Sequence, residues 1–510
     1  MIGPSTNVSK CSQNALEILY LDQNTLSCSI PESIGRLTNL RGLDLSFNEL
    51  TDPIPEALGK LISLQRLDLS YNQLNGYIPE SLGRLTALRE MILKSNRFTG
   101  HVPVSIGRLT SLRVLSLKVL VLTNASISGP LPTWFRLLPI IYDLDLSHNK
   151  LTGPLTNLPS VYEVRYAKNA QRGLRLQDNL LRGLIPRQLC KRTDLEILDL
   201  SRNRLTGKIP KCLWNHSSLR VMLLGSNRLS GVIPSSLGYN YLEWLQLNDN
   251  NFSGEFPRDL GYLTGLIVLD LGENKFSGSI PEMIGDNITR LIVLRLHKNN
   301  FTGRIPRSLC KCAFLQVLDL AHNNLIESIP HCFGELESMK ENPQRNYYIM
   351  RTGFDFSSGD IMQVLKGVAL VYTKTLQFVI NMDLSSNKLD GEIPGAITTL
   401  DTLTLTDPSI YADNTYLCGA PLPKECSPHT NPPTATSKNK HENTNKPNKV
   451  WFYLDIMSGF ATGFWGIIGV LFLKKQWRYK LYMLSEVAID KIYVAVAIRV
   501  SKMKRGIEAA

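Results

Sequence analysis

The chain has 510 residues, with 56 Lys and Arg against 44 Asp and Glu and a formal net charge of +12. From Lys474 to Ala510 there are nine Lys/Arg and three Asp/Glu, so half the excess sits in a short tail and the rest is thinly spread. No basic stripe with interleaved aromatics remains, which argues against a nucleic-acid binder. No Ser/His/Asp, paired-carboxylate or metal-ligand arrangement stands out, and the histidines are scattered, which argues against an enzyme and against any cofactor.

The length alone would suggest about three domains, but a repeat sets that arithmetic aside. Residues 1–15 read as an N-terminal remnant without the apolar core of a signal peptide. From Leu16 to about residue 336 the chain repeats LxxLxLxxNxLxxxIPxxLGxL, with starts at Leu16, Leu40, Leu64, Leu88 and Leu112. A fixed period of leucines that no single unit can bury predicts a leucine-rich-repeat solenoid, an α/β repeat whose coils stack and share one core. In LDLS the leucines point inward while Asp44, Asp68, Asp145, Asp199, Asp270 and Asp319 point outward, as structural or solvated groups. The Asn after each strand, such as Asn48 or Asn72, is buried in the turn and needs backbone partners, which predicts a stacked asparagine ladder.

After Leu112 the register breaks: LRVLSLK runs into VLVLTNASISGPLP, spacing resumes from Leu117, and Ala125 stands where the ladder Asn belongs. This reads as the loss of most of one coil. An irregular coil follows Ile141, and regular starts return near Gln171, Leu195, Leu219, Leu242, Leu266, Leu291 and Leu315. Residues 337–378 form an island without the pattern, and DLSSNKLDGEIP restarts one last repeat over 379–405. A cysteine cap over 406–426 and a flexible stalk over 427–449 come next, the stalk being almost free of apolar residues. Residues 450–473 are apolar enough for a helix of about 36 Å, sufficient to cross a bilayer core of about 30 Å. The basic tail over 474–510 then places the C-terminus in the cytosol and the repeats outside, as a single-pass plasma-membrane protein. Gly459 and Gly463 form a GxxxG pair that lets another helix approach closely.

Cys190 and Cys212 occupy the same repeat positions as Cys310 and Cys332, four residues past one repeat Pro and two past the next. Coils about 4.8 Å apart suit a disulfide for each pair, and Cys418 with Cys426 closes the array. Cys11, Cys28 and Cys312 have no evident partner. A zinc site on Cys310, Cys312, His331 and Cys332 is disfavoured because the spacing recurs at 190 and 212 without a histidine. Sequons at Asn7, Asn124, Asn215, Asn251, Asn287 and Asn300 agree with a secreted glycoprotein.

The repeat text LxGxIP, as in LTGKIP from Leu205 and FTGRIP from Phe301, resembles the plant class of extracellular leucine-rich repeats. The island sequence KGVALVY, the closing LCGAPLPKEC, and GFATGFWGIIGVL running into KKQWR look like plant receptor-like proteins. The tail and TLTDPSIY look most like the ethylene-inducing xylanase receptor group. The resemblance implies a second strand per coil, a curved superhelix with its parallel sheet on the concave face, and a kinase-lacking receptor for a microbial or apoplastic peptide or protein ligand. It also implies signalling in plant defence through an adaptor receptor kinase, held by the membrane helix, and a co-receptor kinase. Lys366, Gly367 and Tyr372 of the island would join the ligand site. A truncated non-signalling paralogue or decoy and a developmental peptide co-receptor remain open as alternatives.

On the strand face, the residues that break the LDLS consensus are the candidates for recognition. They are Arg175, Gln177 and Asp178 in one coil, Trp244, Gln246, Asn248 and Asp249 in a second, and Arg295, His297 and Lys298 in a third. An aromatic anchor beside Arg and amides suits a peptide- or protein-binding face, with Trp244 the foremost candidate.

Overall fold

The computed structural model describes residues 16–109, 119–137, 143–158, 173–193, 195–235, 241–339, 361–365, 368–372, 380–398 and 407–426. The N-terminal remnant with Asn7 and Cys11, the island residues Lys366 and Gly367, the stalk, the apolar segment with Gly459 and Gly463, and the tail lie outside them. Among the described residues no helix is long and apolar enough to cross a membrane.

The repeats build a 14-stranded sheet whose strands follow one another in chain order. It runs from Ile18–Tyr20 to Asn381–Asp383, and the pairs of known register are parallel. Each strand is three residues long because only LxL is shared between coils; the chain then turns away. Leu43, Leu67, Leu144, Leu198, Leu269 and Leu294 are fully buried. Each contributes about 1.5–3 kcal/mol relative to exposure, which no isolated coil could collect. The start expected at Leu112 lies outside the described residues. Strand Glu90–Ile92 pairs directly with Val119–Val121, with Met91 opposite Leu120, so the strands flanking the break are neighbours in the sheet.

The Asn ladder supplies the polar half of the core. Asn72 Oδ1 accepts the Leu50 N–H at 3.0 Å, and its Nδ2 donates to the Leu45 carbonyl at 2.9 Å. The same pattern recurs at Asn48, Asn96, Asn179, Asn203, Asn227, Asn274, Asn299, Asn323 and Asn387. At the defect, Asn149 Oδ1 accepts from both Ala125 N–H (3.1 Å) and Ile127 N–H (2.9 Å). The cap sequence carries a further rung: Asn414 Oδ1 accepts the Leu389 N–H at 3.0 Å and its Nδ2 donates to the Leu384 carbonyl at 3.0 Å. The array therefore continues one rung past the last expected repeat.

The second strand expected from LxGxIP is present as a nine-stranded sheet between Ser128–Pro130 and Asn324–Leu325. Gly207 of LTGKIP sits at φ +79°, a left-handed conformation that disfavours most side chains. Opposite the main sheet, PxxLG segments make short 3-10 turns headed by Pro, such as Glu56–Lys60 behind Pro55. Phe252, Phe276 and Phe301 replace leucine after the Asn in three successive coils and stack at 6.3 Å between centroids.

By packing, the chain divides into two units. The repeats form the first. The second includes an antiparallel hairpin, Ile361–Leu365 with Val368–Tyr372, inside the expected island, and the Cys418–Cys426 loop. Cys190–Cys212 and Cys310–Cys332 are bonded with Cα atoms 5.7 and 5.9 Å apart, which removes two of the four groups a zinc site would need. Cys312 is buried and its Sγ lies 3.7 Å from the Ile288 carbonyl, while Cys28 is exposed.

Candidate ligand-binding face

In LxL, the residue between the two leucines faces outward, and parallel register stacks these residues into a column. The column reads Asp44, Asp68, Ile92, Val121, Asp145, Arg175, Asp199, Leu223, Gln246, Asp270, Arg295, Asp319. Like charges directly opposite one another destabilise a sheet. Two devices relieve this. First, each LDLS Asp folds onto its own turn: Asp199 Oδ1 accepts the Ser201 N–H at 3.0 Å and the Ser201 hydroxyl at 2.6 Å, and Asp44, Asp68, Asp145 and Asp383 do the same. These carboxylates are structural; solvation is not their role. Second, arginines stand between acids. Arg295 Nη1 is 2.8 Å from Asp270 Oδ2 and its Nε is 3.4 Å from Asp319 Oδ2. Arg175 occupies the equivalent place between Asp145 and Asp199. Arg66 reaches Asp44, Asp68 and Glu90 from a half-exposed position.

The Arg295 group is dense. His297 Nδ1 is 3.2 Å from Asp319 Oδ2 and its Nε2 is 3.3 Å from Glu273 Oε1, which Lys298 Nζ also reaches at 3.3 Å. Burial works against the Arg295 charge, yet Asp270 and Asp319 outweigh it and hold the guanidinium above its ordinary range. The His297 hydrogen bond, aided by Lys298, brings the Glu273 carboxyl down to about 2. Desolvation pushes Asp199 up to about 7 and, with the neighbouring Asp319 charge, Asp383 up to about 6.

The candidate residues divide by position. Arg175, Trp244, Gln246 and Arg295 lie on the strands, and Trp244, Gln246 and Arg295 are buried. Trp244 stands between Val221 and Val268 in the sheet and is only 1% exposed, so its size does not translate into accessible surface. Asn248 and His297 occupy space opened by Gly225 and Gly272, where a β-carbon would collide with them. Gln177 is half-buried on the turn out of its strand. Asp178, Asp249 and Lys298 belong to a different row: each precedes a ladder Asn, is exposed, and has φ near +50°. The structure brings Arg295, His297 and Lys298 together with Asp270, Glu273 and Asp319. It sets them apart from Arg175 by five strand spacings, about 24 Å. Sequence reasoning missed Glu273 and His148, whose Nδ1 lies 2.8 Å from Asp178 Oδ2. The signal for both was the position before the ladder Asn. The sequon residues Asn124, Asn215, Asn251, Asn287 and Asn300 are all exposed.

Comparison with known proteins agrees with this architecture. Models of a leucine-rich repeat region and of the leucine-rich repeat match residues 4–129 and six consecutive units between 194 and 336. Receptor-like protein EIX2 of Solanum lycopersicum is 37% identical over 76 residues, 14% of this chain and 7% of the relative, so the match spans a small part of that relative's length. Among solved structures, the plant peptide hormone receptor RGFR1 in complex with RGF2 superposes with a TM-score of 0.59 at 29% identity, covering 79% of this chain and 63% of that one. The Arabidopsis receptor kinase HAESA, in complex with the peptide hormone IDA and the co-receptor SERK1, gives 0.50 at 29% identity over 81% of this chain and 76% of that one. The stacked LxL strands, the ladder and these likenesses together identify the chain as a member of the leucine-rich-repeat family, related to the plant receptor-like proteins of the EIX group.

Proposed function

We propose that the chain is a kinase-lacking cell-surface receptor that reads a microbial or apoplastic peptide or protein on the outward face of its main sheet and signals in plant defence through partner receptor kinases. The observation that carries this reading is the shared strand face: the RGFR1 and HAESA ectodomains, solved with peptide hormones, are built on the same parallel sheet. The presence of the co-receptor SERK1 in the HAESA complex supports recruitment of a co-receptor kinase, with an adaptor kinase engaged through residues 450–473. In this reading the exposed Asp178, Asp249 and Lys298 touch ligand first, and Arg175 and Arg295 set the sign of the field beneath them.

The test uses the full chain expressed in leaf cells, purified with its neighbours before and after exposure to apoplastic fluid from infected leaves. A receptor kinase should co-purify, and its amount should rise on exposure. Lys298→Glu with Asp249→Arg should abolish the rise while leaving the chain folded. Absence of any kinase in both samples would replace the receptor reading with that of a non-signalling paralogue.

A further inference from the structure

Each coil places the residue before its ladder Asn in the left-handed region. Along the first six coils that continue the row beyond Gln23, it reads Phe47, Tyr71, Ser95, Asn124, His148 and Asp178, with φ between +51° and +55°. That conformation favours Asn, Asp and His and penalises bulky residues. Two adjacent coils nevertheless carry Phe47 and Tyr71, 50% and 40% exposed, with rings stacked 4.2 Å apart. Lys94, from the following coil, holds its Nζ 4.9 Å from the Tyr71 ring centroid. Strained backbone that leaves aromatic rings in solvent is not repaid by burial in the core, and such positions concentrate at sites of recognition.

One coil further along the same row lies an open polar pocket of about 540 Å³. Ser95, Asn124, His148 and Asp178 of the row line it, with Thr123 and Lys150 beside them. The ladder defect shapes it: Ala125 carries no carboxamide, and both of its neighbours, Asn124 and Ser126, are left-handed at +51° and +58°. The Thr123 hydroxyl is buried there without a hydrogen-bond partner. Asp178 is held by His148 and keeps acceptor capacity for further donors. Lysine, hydroxyls, a carboxamide and an oriented carboxylate offer closely spaced donors and acceptors with no apolar anchor among them. Two coils before Ser95 in the same row, the half-exposed Phe47 ring, stacked on Tyr71, offers an apolar surface.

We propose that this row, from Phe47 to Asp178, binds a chain of pyranose sugars. Sugar hydroxyls would pair with Asp178, Asn124 and Thr123 in the pocket, and the C–H face of a ring further along the chain, about three strand spacings from Asn124, would pack on Phe47. The row spans five strand spacings, about 24 Å, which accommodates several rings in line. An extended peptide is the poorer fit, because the pocket has neither a hydrophobic anchor site nor a free strand edge. The sugar has two possible sources: a free oligosaccharide, or the chain's own N-glycan, since Asn124 heads the sequon Asn124-Ala125-Ser126. The proposal stands independently of a peptide ligand on the strand column.

The test takes the full chain from plant cells in detergent micelles. One arm titrates cello-, xylo- and chitohexaose and hexagalacturonate by calorimetry. The other applies an endoglycosidase to the folded chain and compares release at Asn124 and Asn300 by glycopeptide mass spectrometry. Free-sugar recognition gives binding by at least one hexasaccharide that weakens roughly tenfold in both Asp178→Asn and Phe47→Ala. It stays unchanged in Tyr416→Ala, whose exposed ring lies in the cap, and the unfolding midpoint is the same in all four chains. Recognition of the chain's own glycan gives a sugar at Asn124 that resists release when that at Asn300 does not, and Asp178→Asn abolishes the resistance. Binding weaker than about 1 mM for every probe, together with an Asn124 glycan absent or released as readily as that at Asn300, would overturn the proposal. Binding that Asp178→Asn and Phe47→Ala leave intact would overturn it as well.

Discussion

Replacing Ala125 by Asn should repair the ladder, and the structure says where the gain arises. In an intact coil the ladder Oδ1 accepts the N–H two residues past the previous rung, as Asn96 does for Leu74 at 3.1 Å. The corresponding N–H at the defect belongs to Phe98, which is fully buried, and among the described residues no acceptor faces it. An orphaned buried N–H costs about 1–3 kcal/mol, and ordering one Asn side chain takes back part of that. Ala125→Asn should therefore stabilise the neighbouring coils by about 1 kcal/mol. The converse change is larger. Asn149 serves two N–H groups, Ala125 and Ile127, where Asn72 serves one. Asn149→Ala should cost more than Asn72→Ala by about one further unmet N–H, or about 1–3 kcal/mol. Hydrogen exchange of the full chain is the direct assay, because a solenoid opens locally and a single melting point averages over coils. The Phe98 amide should exchange faster than Leu74 in the native chain and slow in Ala125→Asn. Equal protection of Phe98 and Leu74 in the native chain, or equal cost for the two Asn→Ala changes, would refute the reasoning.

The charged column makes two further predictions. Arg295→Met leaves Asp270 and Asp319 buried without their shared counter-ion and should cost about 3–5 kcal/mol in urea unfolding. Arg66→Met, where the guanidinium is 38% exposed, should cost below about 1 kcal/mol. Asp199 is raised in the folded chain to about 7 from an ordinary 3.8. Its contribution is thus complete below about pH 4 and is lost as pH rises to 7. Asp199→Asn keeps the oxygen that accepts from Ser201, so its urea midpoint should match the native chain near pH 4 and exceed it increasingly up to pH 7; a constant difference across that range would contradict the burial argument.

The repeats were legible because each consensus residue has one geometric duty. Leucine fills the core, Asn satisfies the turn, and the Gly of LxGxIP takes a positive φ, so spacing alone dictates the coil. Asn414 escaped because its strand equivalent reads Ser409 and Tyr411 where the leucines are expected, though Tyr411 is fully buried just as they are. The break at Leu112 was visible as a disturbed register. Which strands meet across it was not, since that depends on pairing between Met91 and Leu120. The site was less readable than the fold. Arg175 and Arg295 stood out as departures from Asp, and both stand in the column between acids. Their counter-ions, however, sit about a coil away in sequence and carry the very consensus letter that was set aside as structural. Trp244 was singled out for size, but alternation along a strand tells only which way a side chain points, not what lies over it.

Column and turn row obey different constraints, and the difference bears on where such a protein can vary its recognition. A column residue must balance the charge of the coils on either side, so changing Arg295 disturbs Asp270 and Asp319 together. A turn-row residue answers to its left-handed backbone and, in places, to one row neighbour, as His148 does to Asp178. Phe47, Tyr71, His148, Asp178, Arg202, Glu273 and Lys298 all occupy the same left-handed position, and none of them is buried. Aromatic, acidic and basic groups all occur there at nearly constant backbone geometry, the bulky ones at a conformational cost. The column fixes a field, while the row beside it presents chemistry at intervals of about 4.8 Å. In the proposed reading, a ligand lying along the row meets one side chain per coil, coupled at most to its row neighbours as in Phe47–Tyr71 and His148–Asp178.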